Sequence, residues 1–542
     1  MKMKKLTALL CVAAMTVSLA ACGGTKDTAA NTDTSGSSKD ETTVEGDGTQ
    51  TSAEASGERI TFPLAETKEY SVFAIMNQDY DLKDNITMQT VLENANLQFD
   101  FQSVMGADLQ EKRNLVLASG EYPDMFFKCG FASTDLDKYG KQGLFLPLED
   151  LIKQYAPNLT AKMDEMNGWD YITSGDGHIY SLPGIERQNG AVTTYWVNKK
   201  WMDNLGLQEP KSLDELYNVL KAFKEQDANG NGDPNDEIPL TATDVVKPDL
   251  LLPYFSINYD YTTKTAVIDG ELAYVPVTDI FKEYVAYIAK LYQEGLLDKN
   301  AFTQKHEQQG AIGQSADVLG TFFDAGAFLT VGRDNDDDYI ALTPFEDGKY
   351  PLSTGIIPGA MVLTDKFPNP EILIAWADQF YTEEGGILTW LGIEGKTWQK
   401  GADGNWEWIV GQGYGDDIAT VRSSSTIQGA AYHPSIQPDF WFDNMSAEVD
   451  PDEVYLNGER AKVAAKGSVP LPMMRYSDSD AKTIATLKTD IDAYIDQYVA
   501  QVATGELVLE DSWDEFVATV ENMGGAQLAE IYKNAYNEAV GK

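Results

Sequence analysis

Cysteine and histidine are nearly missing from this chain of 542 residues, with three of each. Two of the cysteines, Cys11 and Cys22, fall in an N-terminal export segment. Cys129 is left alone, and no disulfide can staple the folded part unless it reaches Cys22. It follows Met125, Phe126, Phe127 and Lys128, a setting in which a thiol packs as a small hydrophobe rather than reacting. His178, His306 and His433 do not pair as H-x-x-x-H, and G-x-S-x-G, phosphate-loop and C-x-x-C patterns are absent. The glycines of Gly411-Gln412-Gly413-Tyr414-Gly415 lead into no apolar helix, so they make no nucleotide loop. Basic residues are also scarce, 41 against 85 acidic for a net charge of −44, with no Lys/Arg-rich stretch beyond the extreme N-terminus. That field repels phosphate backbones and excludes nucleic acid as a partner. Long apolar runs are missing after residue 19, which excludes a multi-span membrane protein. There is no internal repeat.

What is present begins with an address. Lys2, Lys4 and Lys5 precede an apolar run over residues 6–19, the form of a signal-peptide core within residues 1–21. It ends in Leu19-Ala20-Ala21-Cys22-Gly23, which resembles the bacterial lipobox, where the cysteine becomes residue one and carries lipid. Cys22 is therefore the expected membrane anchor, since two or more acyl chains hold a protein on a bilayer where one does not. Residues 22–58 are Gly, Ser, Thr, Ala, Asp and Glu with almost nothing apolar. They cannot offset the entropy of ordering and are expected to form a disordered acidic tether with a reach of roughly 30 Å.

The rest holds 27 Tyr, 21 Phe and 10 Trp within a 43% hydrophobic fraction, enough for two or more cores at this length. Residues 70–76 and 97–104 are rich in β-formers, with helical spacing over 86–95 and 108–118, and Met125-Phe126-Phe127 completes β-α-β-α-β. Such a unit closes as a right-handed crossover on a parallel sheet, with ligands bound past the carboxyl ends of the strands. The loops after Met76 and Phe127 are thus the places for contacts. Ser212 to Glu215 reads as a capping box before an amphipathic helix. A second helix is expected from about 279 to a stop at Gly295, and a third from an Asn369 N-cap and Pro370 to Gly385-Gly386. Helices close the chain at about 480–503, 513–522 and 525–540.

Two features carry chemistry. Asp227, Asn229, Asn231, Asp233, Asp236 and Glu237 place oxygen side chains at alternating positions with glycines between, the pattern of a loop that wraps a structural Ca2+. In EF-hand register Gly232 takes the sharp turn, but Ile238 stands at position twelve, so Asn235, Asp236 or Glu237 would have to close the shell. A plain polar turn is the competing reading. Trp196, Trp390, Trp398, Trp406, Trp408 and Trp441 lie in polar or Gly-rich surroundings, and sugars stack their C–H faces on such rings. Packing inside the protein competes with that use for each ring. Polar or aromatic residues near strand ends and loops make Asn77, Asp124, Trp196, Arg333, Trp390 and Trp441 the candidate ligand contacts.

Taken together, the chain resembles the family 1 extracellular solute-binding proteins of carbohydrate ABC importers, in particular a long lipoprotein branch. The markers are the lipobox, Tyr122-Pro123-Asp124-Met125-Phe126-Phe127, Gly177-His178-Ile179-Tyr180-Ser181-Leu182-Pro183, residues 197–206, residues 212–240 with the oxygen-rich loop, and Gly392-Ile393-Glu394-Gly395-Lys396-Thr397-Trp398. The resemblance implies an α/β, two-lobed periplasmic-binding-protein-like fold of type II, with lobe 1 at 60–186 plus 357–435 and lobe 2 at 187–356 plus 436–542. It implies capture of an oligosaccharide between the lobes by hinge motion and delivery to an ABC permease, without catalysis, at the outer face of the cell membrane. It also implies a structural calcium on the loop. The expected working form is a monomer. A surface-anchored glycan-acting enzyme, which would need two carboxylates about 5–9.5 Å apart in the cleft, and a peptide binder or sensor of the same fold remain the alternatives.

Overall fold

The β-α-β-α-β expectation for residues 70–127 meets its structure almost residue for residue. In a computed structural model, the described residues are 60–77, 80–187, 193–244, 247–429 and 431–542; the export segment, Cys22 and the tether lie outside them. The two principal sheets use β1 (Lys68–Ile75), β2 (Leu97–Val104), β3 (Met125–Phe127), β4 (Leu182–Ile185), β5 (Thr194–Asn198), β6 (Thr321–Asp324), β7 (Tyr339–Ala341) and β8 (Ile356–Leu363). Helix α1 (Ile86–Ala95) starts on Asn85, whose side chain accepts from Met88 N, and stops at Asn96 in the left-handed region. Helix α2 (Leu109–Ser119) ends on Gly120, also left-handed.

The first sheet runs β2-β1-β3-β8-β4. β1 lies parallel to β2 and β3, while β8 joins antiparallel between β3 and β4. Both faces are covered, which is why Val72, Phe73, Ala74, Met125, Phe126 and Phe127 read as unbroken apolar runs and are all buried. Cys129 is buried against the Phe73 and Phe127 carbonyls, and burial pushes its thiol up to about 12, as expected of a packing residue. The second sheet is β6-β5-β7, antiparallel throughout, with an extended run near residues 238–243 bridged parallel ahead of β6. Helix α3 (Leu213–Glu225) and helix α4 (Asp279–Gln293) pack their apolar stripes into this lobe's core, as expected from their spacing. The chain passes between the sheets after β4, before β8, and again where Gln437 N donates to the Ile185 carbonyl.

One helix departs from expectation. The run from Pro370 does not continue to Gly385-Gly386 but breaks into Pro370–Asp378 and Glu383–Leu391. Asn369 has φ of 57° and makes no side-chain cap, whereas Thr382 accepts from Gly385 N at 3.1 Å. The two glycines serve close approach rather than termination: a Cβ on Gly385 would meet the Gln379 carbonyl oxygen at 1.9 Å, and one on Gly386 the Ile436 carbonyl oxygen at 2.9 Å.

Candidate functional site

Because β1 and β3 are parallel neighbours, the residues just past their carboxyl ends stand side by side. Asn77 follows β1 and Lys128 follows β3, and both are buried. Lys128 Nζ donates to Asn77 Oδ1 at 2.6 Å and to the Ile427 carbonyl. Asn77 Nδ2 donates to Thr426 O at 3.0 Å, Asn85 Nδ2 to Ser424 O and Thr426 O, and Thr87 Oγ1 to Ser425 O. Four side chains thus strap residues 424–427 across the end of the sheet. Burial pulls the Lys128 ammonium down to about 7.

The strapped segment feeds a cavity of about 280 Å³ lined by Trp390, Arg422, Gln428, Ala431, Tyr432 and His433, with Gly429 at its edge. Gln428 Nε2 donates to the Trp390 carbonyl. Trp390 Nε1 donates to Ser435 Oγ at 3.3 Å, and Ser435 Oγ lies 2.9 Å from His433 Nε2. Since the indole can only donate, the serine is free to give its own proton to His433. Burial, reinforced by the Lys128 charge, holds that imidazole well below its ordinary range, so it is a neutral acceptor at pH 7. Tyr432 is 37% exposed, and its hydroxyl donates to Glu186 Oε2 while Ser353 Oγ donates to Glu186 Oε1. Arg422 stands 5.3 Å from the Trp441 ring centroid and makes no ion pair or side-chain hydrogen bond among the described residues. Behind the cavity Trp441 lies tilted against Trp406 at 4.9 Å and meets Trp390 and Trp408 edge-on at 5.9 and 5.8 Å. Trp406 and Trp408 belong to a hairpin of β9 (Trp398–Lys400) and β10 (Trp406–Trp408).

Of the six expected contacts, Asn77, Trp390 and Trp441 come together here. The other three do not join them. Asp124 lies at the amino end of β3, where its Oδ2 accepts from Ser71 N and Oγ at 2.8 and 2.7 Å and braces the opposite edge of the sheet. Trp196 is 1% exposed in the middle of β5, with Nε1 donating to Asp324 O at 3.0 Å. Arg333 is held by Asp336 and Glu453, each at 3.2 Å, and lies over Phe328. Lys128, Arg422, Gln428, Tyr432 and His433 were missed. For Lys128 the signal was present: a lone lysine directly after a buried apolar strand has no solvent to face.

The calcium expectation is corrected. Among the described residues no group of three or more His, Cys, Asp or Glu is arranged to hold a metal ion. At least one side-chain oxygen of each expected ligand accepts from the loop's own amides instead, while Asp227 Oδ1 and Glu237 Oε2 make no hydrogen bond among the described residues. Asp227 Oδ2 accepts from Gly232 N, Asn229 Oδ1 from Asn231 N, and Asn231 Oδ1 from Asp233 N. Asp233 Oδ1 accepts from Asn235 N, and Glu237 Oε1 from Ala228 N. The two Asp236 oxygens receive the side-chain amides of Asn229 and Asn231 at 3.2 and 2.7 Å. The segment is a run of side-chain-closed turns joining α3 to the extended run before residue 244.

The sequence profile of bacterial extracellular solute-binding proteins matches residues 92–387. The chain is 31% identical over 342 residues to the fructooligosaccharide ABC transporter substrate-binding protein FusA of Streptococcus pneumoniae, covering 60% of this chain and 63% of FusA, just under two thirds of its length. It is 25% identical over 495 residues to the polygalacturonan/rhamnogalacturonan-binding protein YtcQ of Bacillus subtilis, covering 86% and 91% of the two chains. The solved structure of FusA in complex with kestose superimposes with a TM-score of 0.68 at 25% identity, over 87% of this chain and 99% of that one.

Proposed function

The chain belongs to the bacterial extracellular solute-binding proteins, and on that premise we propose that it is the extracytoplasmic binding component of an ABC importer. It takes an oligosaccharide into the cleft between two lobes and delivers it to the membrane permease. FusA and YtcQ, named for fructooligosaccharide and for polygalacturonan/rhamnogalacturonan, support this class of ligand. The observation that carries the reading is the cavity at the carboxyl edge of the first sheet. Trp390 and Tyr432 offer ring faces for C–H stacking, Arg422 offers free donors, and the Glu186 carboxylate takes the Tyr432 hydroxyl at its side. The relatives are named as binding proteins, and on this reading the protein acts without catalysis.

The remaining parts fit the same role. Cys22 anchors the mature chain through lipid, residues 22–58 tether it, and it works as a monomer. Lobe 1 comprises 60–186 plus 357–435 and lobe 2 comprises 187–356 plus 436–542, so the three inter-sheet passages form the hinge. Isothermal titration with kestose and with trigalacturonate tests the reading. At least one is expected to bind, and Trp390→Ala should weaken it tenfold or more, about 1.4 kcal/mol. No heat with either sugar, or cleavage of the sugar during titration, would overturn it.

A further inference from the structure

The second lobe contains a cavity of about 220 Å³ that shares no residue with the one beside Trp390. It lies between α4, the 3-10 turn Pro248–Phe255 and the helix Asp478–Thr504. Several of its polar side chains make no hydrogen bond or ion pair among the described residues. Lys264 is 8% exposed and lines the cavity, yet its ammonium makes no hydrogen bond or ion pair among the described residues. Tyr259 and Tyr284 are each 1% exposed, and neither hydroxyl finds a partner among those residues. The Asp249 carboxylate feels the charge of Lys264 without pairing to it, and burial raises its pKa against that attraction. Asp244 Oδ2 is paired with Lys305, but its Oδ1 is buried without a hydrogen bond.

A buried polar oxygen with no hydrogen-bond partner is rare in native interiors, and Asp244 Oδ1 is such an atom. It shares the cavity with Lys264, Tyr259, Tyr284 and Asp249, so polar groups of both kinds line one space that an occupant can enter. Its charges cancel: Lys247 pairs with Asp496 and Lys305 with Asp244, leaving Lys264 facing Asp249. The occupant is therefore uncharged overall. Donors from Lys264, Tyr259 and Tyr284 and acceptors from Asp249 and Asp244 arise on different segments, which suits a ring with hydroxyls around its circumference. An amino acid carries both charges on one carbon and would need them clustered at one end. Phe281 supplies an apolar wall for the C–H face.

The location agrees with this chemistry. Thr243 and Asp244 end the extended run whose Thr241 N donates to Thr321 O of β6, so the cavity opens past the end of that run. We propose that this cavity is a second binding site, taking a single neutral monosaccharide. The proposal is independent of the Trp390 cavity.

Thermal unfolding of the full chain with D-glucose, D-galactose, D-fructose and D-mannose, each at about 50 mM, with L-leucine as the zwitterion, tests it. At least one monosaccharide is expected to raise Tm by about 2 °C or more. That rise should disappear in Lys264→Met and in the cavity-filling Ala500→Leu, which keeps every charge, and persist in Trp390→Ala. No shift with any of the four sugars overturns the proposal, as does a shift with leucine alone. So does a sugar shift that survives both cavity variants and is lost with Trp390. Loss of kestose and trigalacturonate binding with the monosaccharide response intact would strike the importer reading and leave this site standing.

Discussion

Lys128 shows how much one residue decides. Its backbone N donates to Ala360 O at 2.8 Å, φ is 58°, and the ammonium is sealed beneath the 424–427 segment. A buried lysine whose pKa falls from 10.5 to about 7 makes folding depend on pH with a definite sign. Below pH 7 both states are protonated, and the folded state bears the full cost of the charge. Between about 7 and 10.5 the unfolded chain holds the proton more tightly, so stability rises with pH by at most about 1.4 kcal/mol per unit. Urea unfolding from pH 7 to 9, below the tyrosine range, should show this rise in the native protein and a flat difference in Lys128→Met. Equal slopes would mean that the ammonium keeps its proton inside.

At the scale of elements, sequence pattern and structure agree where a run has one period and disagree where a loop's geometry decides. The strands at 68–75 and 97–104 and the helices α1 to α4 were legible because apolar spacing and caps such as Ser212, which accepts from Glu215 N at 3.2 Å, act locally. The break after Asp378 was not, since Gly385 answers to a carbonyl six residues away and Gly386 to one fifty residues away. The oxygen-rich loop failed for a related reason: composition counts oxygens but cannot say whether they face a cation or their own amides. Chelator should therefore leave Tm unchanged, and a fall of several degrees would contradict the internal hydrogen bonding seen here. Gly184 in β4 is a second case of tertiary demand. A Cβ there would stand 2.8 Å from Tyr432 Cβ, so Gly184→Ala should push Tyr432 off the sheet. A destabilisation of about 1–3 kcal/mol and weaker sugar binding are expected, measured by denaturation and titration of the same preparation.

For the whole molecule, two sheets joined by three passages make a pair of lobes, and the edge at which β1 and β3 end carries the cavity. The rule that ligands bind past the carboxyl ends of parallel strands points from sequence to the loops after Met76 and Phe127, and the residues following them strap the segment that leads into the cavity. It could not supply Arg422, Tyr432 or His433, which arrive from a distant part of the chain. Asp124 and Trp196 were chosen for residue type near a strand, and they lie at the amino end of β3 and in the middle of β5, away from this cavity. Native mass spectrometry of the protein mixed with partial digests of inulin and of pectin tests the central claim most directly. The account predicts one intact oligosaccharide retained per chain and lost in Trp390→Ala; free protein alone, or bound fragments shorter than any sugar supplied, would contradict it.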